Sequence, residues 1–209
     1  MSTTDMGKVV AGFSMSLDGF IADPEDGVPH IFDWYGAGDV RFDWPGNDMV
    51  SHVTPAGAAY LRELVDQTGA LVVGRRIFDL TDGWAGRHPI GVPVFVVSHR
   101  GPEGWDERHD PSRTTFVHDG LAAAVERARA VAGDKWIGVG GANIAQQCLD
   151  LGLLDEIRIE LAPVVLGSGI PFFANLTTTP LVLDGPRVIE DRRVTHLAYT
   201  VRKEAVPEA

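Results

Sequence analysis

Cys148 is the only cysteine in this chain of 209 residues, so no disulfide can form within it. That fits a reducing cytosol, and the apolar helical pattern around Cys148 marks a buried, inert thiol rather than a nucleophile. No apolar run approaches the ~20 residues that a membrane span needs. The start, MSTTDMGK, lacks the basic-then-apolar layout of a secretion signal. A soluble, cytoplasmic protein is the expectation. Basic residues are also scarce, 18 against 29 acidic ones, for a formal charge of −11. Nucleic acid and anionic membrane are therefore not expected partners, and an anionic ligand needs a local cluster of cations. No His, Cys and Asp spacing suits a catalytic metal.

What is present is ordinary for a globular domain: 44% apolar and 22% charged residues. The length suits one domain over 1–209, with 1–7 and 203–209 expected to be flexible. Lys8 to Ser14, Ala70 to Val73, Val92 to Ser98 and Thr114 to Val117 read as strands, as does the WIGV that starts at Trp136. Pro55 to Gln67 has a helical period, with Gly69 placed to cap its end. Asp119 offers an N-cap to the helix LAAAVERARAVA. Ile144, Cys148 and Leu151 mark one face of a later helix. EIRIELAPVVL, PLVLD and VTHLAYTVR then follow as strands, the last two as an antiparallel hairpin. This order predicts an α/β fold: a mixed, mostly parallel central sheet flanked by helices, with that hairpin at its C-terminal end. The connection from Asp18 to about Pro55 is too long for a plain turn, so it is a lid or a binding wall.

Open α/β sheets collect ligands beyond the carboxyl ends of their strands. Three such ends carry suggestive chemistry here. VVGRRIF exits through Gly74 and places Arg75 and Arg76 at a helix start. VFVVSHR supplies Ser98, His99 and Arg100. WIGVGGANI brings the bare backbone of Gly140 and Gly141 to another helix start. One dinucleotide phosphate explains all three, because a pyrophosphate approaches glycine backbone closely and arginine forks match a 2′-phosphate. The alternative is that the glycines only close turns and the arginines are solvated. The usual G-x-G-x-x-[GA] fingerprint is absent, since Asn143 stands where a small residue belongs.

SLDGFIA (Ser16 to Ala22), VVGRRIF, VFVVSHR, IGVGGANI and LAPVVLGSGIPFF (Leu161 to Phe173), in that order, resemble the dihydrofolate-reductase-like fold. The chain is most similar to the branch holding the reductase half of riboflavin-biosynthesis enzymes and their stand-alone relatives. The resemblance implies NADPH as hydride donor. Arg75, Arg76, Ser98 and His99 would hold its 2′-phosphate end, with Arg100 as helper. Gly140, Gly141, Ala142, Asn143 and Ile144 would take the pyrophosphate, and Ile21 and Ala22 would lie by the nicotinamide. It also implies a homodimer, and the apolar residues of PVVLGSGIPFF make that segment either a candidate interface or buried core.

The substrate side departs from that pattern. Folate reductases carry a carboxylate near the start of the helix that here reads TPAGAAY. Riboflavin-pathway reductases carry a lysine and a glutamate where Gly12 and Val139 stand. Asp18 is a candidate proton donor or simply an Asp-Gly turn residue. Glu160 is a candidate for the pocket floor or a paired acid. Phe32 and Trp34, with His30, Tyr35 and Trp44, either wall a flat substrate or pin the long loop to the core. Trp84 is a candidate cap on the substrate cavity, and Asp23 to Asp26 reads as a solvated acidic turn. The expectation is an NADPH-dependent reductase of a small, flat heterocyclic or carbonyl substrate. The alternatives are a ribosylaminopyrimidine reductase of riboflavin synthesis, a flavin-linked version of the fold, and a non-catalytic NADP(H)-binding sensor.

Overall fold

The computed structural model describes residues 7–101 and 113–203. The expected flexible ends lie outside these residues except for Gly7 and Lys203, as does most of the polar loop after Arg100. Among the described residues, eight strands form one sheet. In chain order they are β1 (Val9–Met15), β5 (Thr68–Gly74), β6 (Val94–Val97), β7 (Thr114–Val117), β8 (Trp136–Gly140), β9 (Glu156–Leu161), β11 (Leu183–Asp191) and β12 (Val194–Val201). Across the sheet the order is β11-β12-β9-β1-β8-β5-β6-β7. The block from β9 to β7 is parallel, and β12 runs antiparallel between β9 and β11. This is the expected mixed sheet with its C-terminal hairpin. Two small ladders stand apart: β2 (Phe20–Ala22) with β10 (Ile170–Pro171), and β3 (Val40–Asp43) with β4 (Val50–Val53).

Four helices cover the faces: α1 (Pro55–Gln67), α2 (Arg75–Leu80), α3 (Leu121–Ala132) and α4 (Ala142–Asp150). The Thr54 hydroxyl caps α1 by accepting from the Gly57 N–H at 3.0 Å, with Pro55 at the first helical position. Gly69 does not cap its far end. The chain passes from α1 straight into β5, and Gly69 is a packing site where a Cβ would lie 2.8 Å from Ala132 Cα. Asp119 likewise caps nothing. Gly120, at φ 99°, turns the chain into α3, and Asp119 pairs with Arg127 at 2.7 Å instead. On α4, Ile144 and Cys148 face the core as expected, but Leu151 lies past the helix end and is 58% exposed.

Strand alternation divides the core into two layers. Val9, Ala11, Val72, Ile137, Val139 and Ile157 pack under α3 and α4. The other face carries Ser14, Gly12, Glu160, Arg158 and His196 toward α1, with Trp34, Trp44, Tyr60 and Leu61 in the packed cluster there. Burial pushes the Cys148 thiol up to about 12, so it is inert in the folded protein. No helix among the described residues is long and apolar enough to cross a membrane.

Candidate functional site

β8, β5 and β6 are neighbours, so their carboxyl ends lie abreast: Val73 pairs with Gly140, and Gly74 with Val97. The structure thereby brings Gly74–Arg76, Ser98–Arg100 and Gly140–Ile144 to one rim. A Cβ on Gly74 would stand 3.1 Å from Ile144 Cγ1, which lets α4 close against the end of β5. Gly141 opens α4 at φ 95°, and no side chain caps that helix start. A Cβ on Gly141 would meet nothing nearer than Ile77 Cγ2 at 3.8 Å, so its need for glycine is conformational and the space before it is open. Gly140 answers to packing, because its Cβ would press Val73 Cγ1 at 3.0 Å.

Two of the three arginines of this rim, Arg75 and Arg76, are paired with the chain's own acids. Arg75 Nε donates to Asp79 Oδ1 at 2.7 Å, and its guanidinium lies 5.8 Å from the Phe116 ring centre. Arg76 donates to Asp26 at 2.7 Å while 67% of its side chain stays exposed. The Asp23 to Asp26 turn is therefore no free acidic loop, since it ties the first connection to α2. Exposed pairs of this kind contribute about 0–1 kcal/mol, so an incoming phosphate displaces them cheaply. Ser98 is buried, and its Oγ donates to the Arg100 carbonyl at 3.0 Å and accepts from the Arg100 N–H at 3.2 Å. That turn leaves His99 and Arg100 exposed.

Beyond β1, the Ser16 hydroxyl accepts from the Phe20 N–H at 2.9 Å, and Gly19 at φ 90° completes the turn into β2. Ile21 and Ala22 then run along β2 against β10. Asp18 accepts from Ser16 Oγ at 2.6 Å, from the Gly167 N–H at 2.7 Å and from the Leu166 N–H at 3.1 Å. These donors, the Ser16 hydroxyl above all, hold its carboxyl below the usual range. Asp18 is thus an ionised clamp on the loop after β9, which is poor chemistry for a proton donor.

Of the predicted substrate contacts, Phe32 is 38% exposed at the surface. Trp34 is only 2% exposed, and its indole N–H donates to Ser14 Oγ at 3.2 Å. Trp44 donates to Ser51 Oγ at 3.0 Å in the same cluster. These two tryptophans pin the loop to the core and do not wall a cavity. Trp84 sits in a turn, Asp82–Gly86, whose residues all have positive φ. Its ring packs on Phe78 and His88 beside Val94 and Thr114, at the starts of β6 and β7. That is the far end of those strands from Ser98, so Trp84 does not cap the rim.

Glu160 does face the interior, 7% exposed. It accepts from Ser14 Oγ at 3.2 Å and from the Tyr60 hydroxyl. His196 is its cross-strand neighbour and stacks on Tyr60 with ring centres 4.0 Å apart. Neither ring nitrogen of His196 has a hydrogen bond, and Nε2 stands 3.7 Å from Asp191 Oδ2, too far for one. Burial pushes the Glu160 carboxyl up against the pull of its two hydroxyl donors, and pushes His196 down. Ser14, Tyr60 and His196 are functional candidates that the sequence reading did not single out. The available signal was alternation, since EIRIEL puts Glu156, Arg158 and Glu160 on one face of an otherwise apolar strand.

The family profile described as the RibD C-terminal domain matches residues 7–189. The Bacillus subtilis (strain 168) protein YwjB, itself uncharacterized, is 28% identical over 182 residues, spanning 86% of this chain and 91% of its own. Among solved structures, a Shewanella sp. PV-4 protein named for riboflavin biosynthesis has a TM-score of 0.66 at 24% identity, covering 94% of this chain and 99% of that one. Dihydrofolate reductase from Enterococcus faecalis, complexed with NADP(H), has a TM-score of 0.58 at 14% identity, with 95% and 98% covered. The fold is dihydrofolate-reductase-like, and the chain belongs to the RibD C-terminal domain family.

Proposed function

We propose that this protein is an NADPH-dependent reductase of a small, flat heterocyclic or carbonyl substrate. The observation that carries this reading is the convergence of three strand ends on one rim, with an uncapped glycine-led helix start beside two exchangeable arginines. The fit to a dinucleotide is physical. Gly141 leaves the first turn of α4 open to a pyrophosphate, whose charge the helix start favours, with Gly140, Ala142, Asn143 and Ile144 around it. Gly74 brings Arg75 and Arg76 to the same edge, where Ser98 fixes the turn that presents His99 and Arg100 to a 2′-phosphate. Ile21 and Ala22 border the nicotinamide end. The nicotinamide, when bound, supplies the hydride, and the chain's own residues position it and supply the proton.

Reduction of the riboflavin-pathway ribosylaminopyrimidine is the less supported variant. Val139 is buried beneath α4, so no acid stands beside Gly140, and Gly12 contributes no cation. The testing experiment is a calorimetric titration of the purified protein with NADPH and with NADH, after its absorbance is checked for bound flavin. The expected result is micromolar NADPH binding with NADH at least tenfold weaker. Binding of neither dinucleotide overturns the reading.

A further inference from the structure

Adding hydride to a C=N or C=O bond leaves a lone pair that needs a proton, and the chain must supply an acid near the end of β1. Asp18 is unsuited, because three hydrogen-bond donors already hold it as a carboxylate. The acids of α1 are no better placed, since Glu63 is bound by Arg158 at 2.9 Å and by Arg187 at 2.8 Å. We propose that Glu160 is the general acid that completes the reduction, passing its proton to the substrate's nitrogen or oxygen. This rests on the reductase reading above.

Position supports it first. β1 pairs with β8 with Ala11 opposite Val139, so Ser14 stands three residues further on, level with the start of α4. Glu160 lies directly opposite Ser14 on the next strand. On the same face of β1, Gly12 leaves the sheet bare, since a Cβ there would meet only Arg158 Cβ at 4.0 Å. A flat ring can lie on that exposed backbone, level with Gly140 on the neighbouring strand and two residues before the Ser14–Glu160 pair.

The surroundings also favour the protonated form. α1 turns Tyr60 toward Glu160, β1 brings Ser14, the Asp33–Gly36 turn brings Trp34 and the half-buried Tyr35, and β12 brings His196 with Asp191 behind it. The nearest cation is Arg158 on the same strand, already committed to Glu156 at 2.6 Å and to Glu63. Burial without a bonded cation raises a carboxyl's affinity for its proton, and here it outweighs the opposing pull of the Ser14 and Tyr60 hydroxyls. In the step, the carbon accepts hydride, the C=N or C=O π pair moves onto the heteroatom, and that pair takes the Glu160 proton. The substrate gains two electrons, the dihydronicotinamide is oxidised, and Glu160 is left a carboxylate that the Ser14 and Tyr60 hydroxyls already address. Solvent returns the proton.

The first arm of the test needs no turnover. Infrared difference spectra of wild type against Glu160→Gln at neutral pH are expected to show a protonated-carboxyl band that the variant lacks; a wild type without that band overturns the proposal. The second arm follows NADPH oxidation with 9,10-phenanthrenequinone and dihydrofolate as probe acceptors. The wild-type rate is expected to fall as pH rises through the Glu160 pKa. Glu160→Gln should lower kcat by about 10²–10⁴-fold, remove that limb, and leave the NADPH Kd within twofold. Tyr60→Phe removes a donor to the carboxylate and should move the limb to higher pH, a shift that a merely structural role would not produce. A Gln variant with wild-type rate and pH profile overturns the proposal and leaves the reductase reading intact. A wild type that binds neither dinucleotide overturns both.

Discussion

The carboxyl edge of the sheet holds two acids whose proton affinities are pushed in opposite directions. Asp18 sits at the surface, wrapped by backbone N–H groups and a short hydroxyl contact, and stays charged while holding a loop. Glu160 sits one strand away, buried among Ser14, Tyr60 and His196, with its carboxyl pushed up. The rim proposed for a dinucleotide resembles the first case, because Arg75 and Arg76 rest in exposed ion pairs that exchange partners at little cost. The floor beneath α1 resembles the second, because Ser14, Trp34, Tyr60 and Glu160 hold one another in place. The proposed reductase uses both kinds of site: the rim to capture a charged cofactor from water, and the floor to shelter a proton from it.

The largest expected effect breaks the rim. Arg75→Ala with Arg76→Ala should weaken NADPH by about 10²–10⁴-fold, at ~1.5–3 kcal/mol for each lost charged contact, and leave NADH within a few fold. Calorimetry checks this, and equal losses for the two cofactors would refute the 2′-phosphate assignment. Next comes the floor. Trp34→Ala should cost ~3–5 kcal/mol of stability in denaturant unfolding, because the ring is core. Trp34→Phe should cost only ~0.5–1.5 kcal/mol, for the lost bond to Ser14. A stable Trp34→Ala protein would return that ring to the substrate wall.

Asp18→Asn should speed hydrogen exchange at the Leu166 and Gly167 amides without removing the pH limb assigned to Glu160; loss of that limb would make Asp18 the acid instead. The smallest effect lies away from the rim. Arg187, with Arg158, holds the Glu63 carboxyl down to about 2 from an ordinary 4.5. A depressed folded pKa means that this stabilisation is present above pH 4.5 and lost as pH falls toward 2. Glu63→Gln should therefore lower Tm at pH 7 by a few degrees and have little effect near pH 2. A pH-independent difference would mean that the Arg158–Glu63–Arg187 chain is not ionic in solution.

Much of this was legible in the chain itself. Thr54-Pro55 announced the start of α1, and the periodicity carried it to Gln67, because capping and amphipathic period are local properties. Gly69 and Asp119 misled for one reason: each has the residue type a cap wants, but tertiary packing gave each another use. The strand-end residues Gly74–Arg76, Ser98–Arg100 and Gly140–Ile144 were legible because βα alternation alone sends them to one edge. Trp34, Trp44 and Trp84 were not, since an aromatic side chain serves a core or a cavity wall equally well.

The sequence by itself determined the order of the central-sheet strands and the helices, the glycine-led helix start and the placing of arginines at the rim. Each of these follows from periodicity and backbone preference within a few residues. The short ladders of β2 with β10 and β3 with β4 came only with the fold. Only the tertiary structure decided how far burial raises the proton affinity of Glu160 and which loop amides help to lower that of Asp18. Asp18 owes its lowered proton affinity first to the Ser16 hydroxyl two positions away and then to amides 148 and 149 positions away, and Glu160 owes its raised one to burial, against the pull of a tyrosine 100 positions away and a serine 146 away. A carboxyl's proton affinity is set by solvent exposure and by whatever donors the fold brings to it, and neither quantity exists until the chain has folded.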